Sequence, residues 1–404
     1  MKILHVNYSD GDGGAAIAVK RLHNILNQKK IDSYLLVSEK KYNDKKTFNI
    51  PKNSEKIKNL IKESLNRKLS YFFKTSNFNS FSLNVIPSKL VTKINQIKPD
   101  IVNLHWIGNE TISIKDIKKI KSKIVWTMHD MWPFCGTEHY TADNGFIDGY
   151  ETTKRKKILN FFDIDRYIWN LKKNNYGCIE KIICTSEWMY NKVKLSKLFK
   201  DKKIKLIALP INQNFWKPVD KKFAKDFFNL DKNEKIIVYG ADNFIENKRK
   251  GFDILIESIK TLKNENKFKF RVLTFGETKN LDNFKFLNIE NLGYVNDDYT
   301  KKLIYSAADV TVIPSTIEAF GLVAQEANHC GAPCVVFKNT GLSSIIDHKE
   351  TGYVAEYKSK DDFLNGINWC LENFNNKENE INKKAIKKFN NDNITKDYLN
   401  FLKD

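Results

Sequence analysis

No run of about 18 apolar residues occurs anywhere in the chain, and its start, MKILHVNYSDGDGG, has no apolar stretch behind a basic one. The expectation is a chain that is neither secreted nor membrane-spanning. The six cysteines, Cys135, Cys178, Cys184, Cys330, Cys334 and Cys370, include no C-x-x-C pair. That scatter fits reduced thiols in a cytoplasm and argues against a disulfide framework or a zinc site. No D-x-D-like pair stands at a strand end, and the Asp297–Asp298 pair belongs to a loop, so neither a metal bridging a diphosphate nor any other cofactor is expected. Acidic residues are outnumbered 48 to 68, a formal charge of +20, which biases the chain toward phosphates, anionic lipid or nucleic acid. Charge alone does not choose among these, and an AT-rich genome explains the lysine excess equally well. No nucleic-acid recognition motif accompanies it, so nucleic acid is not an expected partner.

What is present is a repeated grammar. At 404 residues with 41% hydrophobic and 12% aromatic content, the chain has material for two packed domains of roughly 200 residues. Short β-rich apolar runs alternate with helical patterns, the signature of parallel sheets with crossover helices. Strand candidates in the first half are 2–8, 33–38, 100–107, 123–129, 181–186 and 204–210. The second half restarts with 235–242, 269–276, 309–315 and 332–337. The class is α/β, two Rossmann-like doubly wound lobes. The stretch PINQNFWKPVDKKF at 210–223, with its two prolines, marks the boundary. Ligands of open parallel sheets sit beyond the carboxyl ends of strands, which places the expected active site in a cleft between the lobes.

The strongest signal is IPSTIEAFGLVAQEANHCGAPCVV at 313–336. A strand ends at Ser315, a loop carries Glu318, and a helix begins near Phe320 and Gly321, ending where Gly331 caps it. Gly321 lets a phosphate approach the N–H groups at the helix start. Glu326 lies five residues further, roughly 7 to 8 Å along the axis at about 1.5 Å per residue. That span suits a ribose, whose hydroxyls a carboxylate accepts, while Glu318 reaches hydroxyls of a sugar beyond the phosphates.

This E-x7-E string with its F-G-L, the following A-x-x-x-G-x-P-x-V, and TGYV at 351–354 resemble the retaining glycosyltransferase family 4, whose two-lobed fold is called GT-B. The resemblance covers nearly the full chain. It implies that Glu318 holds the donor sugar, Glu326 the ribose, and the amides of Gly321 and Leu322 the diphosphate, with Ala319 and Phe320 in the same donor loop. It also implies an acceptor-side lobe over 1–210, a donor-side lobe over 211–385, and a C-terminal helix over 386–404 that packs back on the first lobe.

In GADNFIENKRKGFDILIESI at 240–259, Arg249 and Lys250 precede Gly251 at the start of an apolar-periodic helix, and cations there stabilise a departing diphosphate without a metal. Lys250 matches the family lysine. The family arginine after the strand-end Gly240 is replaced by Ala241, and Arg249 is expected to substitute. Glycine-rich GDGG at 11–14 is not G-x-G-x-x-G, yet Gly13 and Gly14 resemble the family loop near the donor phosphate and the acceptor. Tyr294 and Val295, in NLGYVNDDY, sit where the family holds the base.

WTMHDMWPFCGTEHY at 126–140 is an aromatic, His-rich loop of the kind that recognises sugars. His129 matches the family histidine that contacts the donor sugar, and Asp130, Trp132, His139 and Tyr140 are the acceptor-binding candidates. The string also resembles bacterial O-antigen, capsule and colanic-acid transferases, without the cysteines that often follow. Two basic aromatic segments, 54–74 and 154–173, are either helices packed on their own sheet or peripheral contacts with anionic lipid at the inner face of the membrane.

The resulting expectation is a cytoplasmic, retaining, metal-independent transferase that moves a sugar from a nucleoside diphosphate, UDP ahead of GDP, to a glycan or lipid-linked acceptor. Catalysis would fall to Lys250, Arg249, Glu318 and His129. The competing readings are a nucleotide-sugar epimerase of the same fold and a basic nucleic-acid-binding protein.

Overall fold

A computed structural model describes residues 1–11, 13–50, 81–151, 163–276, 284 and 286–404. The alternating pattern resolves into two compact units, one formed by Met1–Pro210 with Asn391–Asp404 and the other by Ile211–Asn390.

In the first unit, β1 (Lys2–Ser9), β2 (Asp32–Glu39), β3 (Thr47–Asn49), β4 (Ile101–Leu104), β5 (Lys123–Met128), β6 (Ile179–Cys184) and β7 (Lys203–Leu206) form a parallel sheet. Its order is β3-β2-β1-β4-β5-β6-β7. The central strands are apolar toward both faces, with Ile3, Leu4, Val102 and Leu104 fully buried, because crossover helices cover a parallel sheet on both sides. Sequence order reverses direction between β1 and β4, so the loops leaving those strands diverge and open a crevice at their carboxyl ends.

The second unit repeats the plan with β8 (Lys235–Gly240), β9 (Phe270–Phe275), β10 (Ile289–Asn291), β11 (Val310–Ile313), β12 (Cys334–Phe337) and β13 (Gly352–Ala355). All pair in parallel in the order β10-β9-β8-β11-β12-β13, with the switch between β8 and β11. Ile237, Val272, Val310, Val312 and Val335 form its core with Leu255 and Ile259 of the Phe252–Glu265 helix.

The structure departs from the sequence reading in three places. Strands β3, β10 and β13 were not anticipated: TFN, IEN and GYVA are too short to show an apolar period, and neighbouring strands supply their pairing. The expected strands 100–107, 204–210 and 309–315 end early, at Leu104, Leu206 and Ile313. Their last residues leave the sheet as loops. The boundary expected at 386 falls inside the Glu378–Lys388 helix, which stays with the second unit, where Gln213 Nε2 donates to the carbonyls of Ile386 (3.2 Å) and Phe389 (2.8 Å).

The Asn391–Lys403 helix belongs to the first unit. Asn103 Nδ2 donates to Tyr398 Oη at 2.8 Å, and buried Lys181 donates to the helix-end carbonyls of Phe401 (2.9 Å) and Leu402 (3.2 Å). A cation at a helix C-terminus satisfies carbonyls that have no partner within the helix.

Segment 54–74 lies outside the described residues. The described part of 154–173 is the Ile164–Asn175 helix, capped by Asp163, whose carboxylate accepts from Arg166 N at 3.0 Å. Its apolar face, Ile168 and Trp169, is buried in its own unit. Lys172 on the same helix is buried and donates to the carbonyls of Trp132, Cys135 (3.0 Å) and Gly136 (2.7 Å). Among the described residues no helix is long and apolar enough to cross a membrane. All six cysteines are free thiols, and all but Cys178 are buried.

Candidate functional site

The β8/β11 switch point of the second unit brings the cationic turn onto the E-x7-E loop. Lys248–Lys250 form one 3₁₀ turn, closed by Gly251 in the left-handed conformation (φ 71°) before the Phe252–Glu265 helix. A side chain at Gly251 would place its Cβ 2.1 Å from the carbonyl oxygen of Pro314, so only glycine lets the turn approach the loop after β11. The two stretches are also laced through backbone, with Thr316 N donating to Arg249 O at 2.9 Å.

Glu318 is the centre of the cluster. Its Oε2 accepts from Lys250 Nζ at 2.8 Å and from Arg249 Nη1 at 3.2 Å, and Arg249 Nη1 also donates to Ile317 O at 2.7 Å. The three side chains are only 21%, 11% and 15% exposed for Lys250, Arg249 and Glu318. Burial opposes charge at both ends of the pair. It lowers the Lys250 ammonium from its usual value despite Glu318. On Glu318 burial pushes the pKa up, but Lys250 and Arg249 outweigh it and hold the carboxyl down at about 2. Glu318 is therefore a carboxylate at neutral pH, fixed between two cations.

The same loop delivers a helix start. Gly321 (φ 109°) caps the Leu322–His329 helix, whose first internal bonds run from Ala324 N and Gln325 N to Gly321 O. A Cβ on Gly321 would lie 2.2 Å from Leu342 Cδ2. Amides in the first turn of a helix precede the i to i−4 ladder and point along its axis, a geometry that receives anions. Ala319 and Phe320 are buried and anchor the loop, which Gly341 N closes by donating to Glu318 O at 2.7 Å. Glu326, further along the helix, is buried, and Tyr305 Oη donates to its Oε2 at 3.4 Å. Gly240 ends β8 packed against the Phe275 ring. Tyr294 is exposed and Val295 half-buried in the loop after β10.

In the first unit, Gly13 (φ 80°) and Gly14 open the Gly13–Gln28 helix after β1. The chain between strand and helix is pinned by buried Asp10, whose carboxylate accepts from Lys41 N (2.7 Å) and Tyr42 N (3.3 Å). His129, just past β5, is half-buried. Its Nε2 lies 2.9 Å from His105 Nδ1, past the end of β4, and His105 Nε2 lies 3.0 Å from His5 Nδ1 on β1. Burial lowers all three rings: His129 to about 4, His5 to about 3, and His105 well below its ordinary value.

The acceptor candidates separate into two kinds. Asp130, Trp132 and His139 are buried and engage one another or the adjacent backbone. Asp130 accepts from Trp106 Nε1 (2.6 Å), from Trp132 N (3.0 Å) and pairs with His139 Nδ1, while Trp132 Nε1 donates to Ser82 O (2.8 Å). These three shape the loop, and the Trp132 ring is covered. Tyr140 is half-buried, with Oη 3.4 Å from His129 O. The sequence reading missed Trp106, just past β4, and Tyr8, near the carboxyl end of β1, half-buried rings packed edge to face at 5.6 Å. Both were absorbed into strand patterns, although an aromatic at the carboxyl end of a parallel strand is a signal in its own right.

The chain is 41% identical to an uncharacterized glycosyltransferase of Methanocaldococcus jannaschii over 115 residues, 28% of this chain and 29% of that protein. It is 28% identical to a capsular polysaccharide biosynthesis glycosyltransferase of Staphylococcus aureus over 207 residues, 47% of this chain and 51% of that one. The matches thus span less than a third and about half of these relatives. Among solved structures, the Anabaena protein HepE in complex with UDP and glucose superposes with a TM-score of 0.65 at 16% identity, covering 100% of this chain and 99% of that one. That likeness identifies the fold as GT-B. Residues 220–388, which carry the Glu318 cluster and the Gly321 helix start, match the family described as glycosyl transferases group 1.

Proposed function

We propose that this chain transfers a sugar, with retention and without a metal, from a nucleoside diphosphate to a glycan or lipid-linked glycan acceptor in surface polysaccharide assembly. The observation that carries the reading is the convergence of Lys250 and Arg249 on Glu318 beside the Gly321 helix start, at the switch point of a parallel sheet. A nucleoside diphosphate gains negative charge as the anomeric bond breaks, and two fixed cations with first-turn amides stabilise that charge most at the transition state.

In this reading each residue has a role. Lys250, Arg249 and the amides of Gly321 and Leu322 take the diphosphate, Glu326 accepts from the ribose hydroxyls, and Glu318 orients both the cations and the sugar. The leaving phosphate oxygen takes the acceptor proton on the same face, so no protein nucleophile is required. Arg249 stands in for the arginine that Ala241 replaces. His129 meets the donor sugar, and Trp106, Tyr8 and Tyr140 offer rings and a hydroxyl to the acceptor. UDP is favoured as the nucleotide because HepE was solved with UDP. The capsular relative supports a polysaccharide product.

Titration calorimetry of the purified protein with UDP-, GDP- and dTDP-sugars tests the reading. A dissociation constant in the micromolar range for one donor, with release of free nucleoside diphosphate only when acceptor is added and unchanged by EDTA, is the expected result. Failure of every sugar nucleotide to bind removes the proposal, and conversion of the donor sugar without acceptor turns it into an epimerase.

A further inference from the structure

Three histidines from three adjacent strands or strand ends, His5, His105 and His129, form a continuous ring-to-ring chain running from the buried sheet to the crevice at its carboxyl edge. A neutral imidazole has one N–H and one bare nitrogen, so each N···N contact requires one ring to donate and the next to accept. All three rings are held neutral by burial. Their tautomers are therefore not independent, and only two arrangements satisfy both contacts.

In one, hydrogens sit on Nδ1 of all three rings, each inner ring donates outward, and His129 presents Nδ1–H beyond the chain. In the other, every hydrogen sits on Nε2, and His129 presents a bare nitrogen. The buried far end decides between them. His5 Nε2 is buried and has no hydrogen-bond partner among the described residues. Around it stand the Tyr398 ring, stacked at 6.3 Å, and the His23 ring, edge-on at 6.3 Å. The second arrangement would bury an unpaired N–H there, and orphaned N–H groups are the rarer defect in protein cores.

We infer that His5 and His105 are positioning residues that fix His129 in the Nδ1–H tautomer, making it a fixed hydrogen-bond donor toward a hydroxyl of the transferred sugar. The tautomer of a histidine is set by the bond its other nitrogen makes, and here that bond is itself set one ring further in. The sugar half of the inference rests on the proposed transferase function. The tautomer half does not.

The test is isotope-labelled histidine in the full-length protein, with long-range proton–nitrogen spectra at neutral pH assigned through His5→Phe, His105→Phe and His129→Phe. The expected wild-type spectrum places the His129 hydrogen on Nδ1. His105→Phe moves it toward Nε2, and His5→Phe does so in part. With the preferred donor, His105→Phe lowers kcat roughly tenfold, the equivalent of one hydrogen bond, while the affinity for the free nucleoside diphosphate is unchanged. A His129 hydrogen on Nε2 in the wild-type protein overturns the inference even if transfer is observed, and the variant His129→Phe alone suffices for that assignment. A chain that binds no sugar nucleotide but shows Nδ1–H on His129 overturns the transferase reading and leaves the tautomer relay standing.

Discussion

The two switch points of this molecule solve the same problem with opposite electrostatics. In the second unit the crevice is built from full charges, Lys250 and Arg249 against Glu318, each largely withdrawn from water. In the first it is built from neutral rings, His5, His105 and His129, whose protons are removed by burial. Under the proposed function, a leaving diphosphate calls for fixed charge and sugar hydroxyls call for directed neutral donors and acceptors. The contrast teaches that one sheet topology sets only where a ligand goes, and the side chains at its switch point set what that ligand is.

Removing charge from the second site should have the largest consequence. Lys250→Ala is expected to lower kcat/KM by about 10² to 10³, the usual loss for one preorganised transition-state contact, with an unchanged circular dichroism spectrum. Near-normal turnover in that variant would break the comparison at its charged end. Gly251→Ala should follow, because its Cβ would collide with Pro314 O and its φ of 71° disfavours a side chain. A loss of roughly 2 to 4 kcal/mol in urea unfolding is expected, and an unchanged midpoint would show that the turn relaxes freely.

Acid should distinguish the two sites by where stability is lost. The histidines ionise near 6.5 when unfolded but at about 3 for His5 and about 4 for His129 when folded. The unfolded chain therefore binds protons first, and stability of the first unit falls as pH drops below about 6.5. Glu318 ionises near 4.5 unfolded and at about 2 folded, so its contribution is complete above about 4.5 and is lost only as pH falls toward 2. Scanning calorimetry across this range should show the first unit weakening at higher pH than the second, and parallel loss in both would contradict the assignment. The smallest effect expected is that of Tyr398→Phe, which deprives buried Asn103 of an acceptor and should cost about 1 to 2 kcal/mol in the first unit alone.

Legibility in the sequence followed the same divide. The E-x7-E loop and the Lys250–Gly251 turn were readable because their work depends on residue type at fixed local spacing: a carboxylate, a helix-opening glycine, a cation before a glycine. That Lys250 and Arg249 meet Glu318 itself was not readable, since the contacts join positions 68 and 69 residues apart, respectively, through the pairing of β8 with β11. The histidine chain was hidden for the same reason. His5 and His105 lie in strand runs where polar residues look like ordinary strand content, and only the β1–β4–β5 register aligns them with His129. Asp130, Trp132 and His139 show the converse. Their types suit sugar recognition, but their partners are one another, Trp106 and Ser82, which no spacing rule reveals.

The return of Asn391–Asp404 to the first unit has a consequence for synthesis. A ribosome finishes every strand of the seven-stranded sheet before it begins the second unit, yet the helix that covers Asn103 and accepts from the Lys181 ammonium follows that second unit in the chain. During translation the first unit must wait, with that patch of its surface unsealed, until the whole of the second has been made. A fragment ending at Pro210 is a dome without its keystone, and the nascent chain passes through the same condition each time the protein is made.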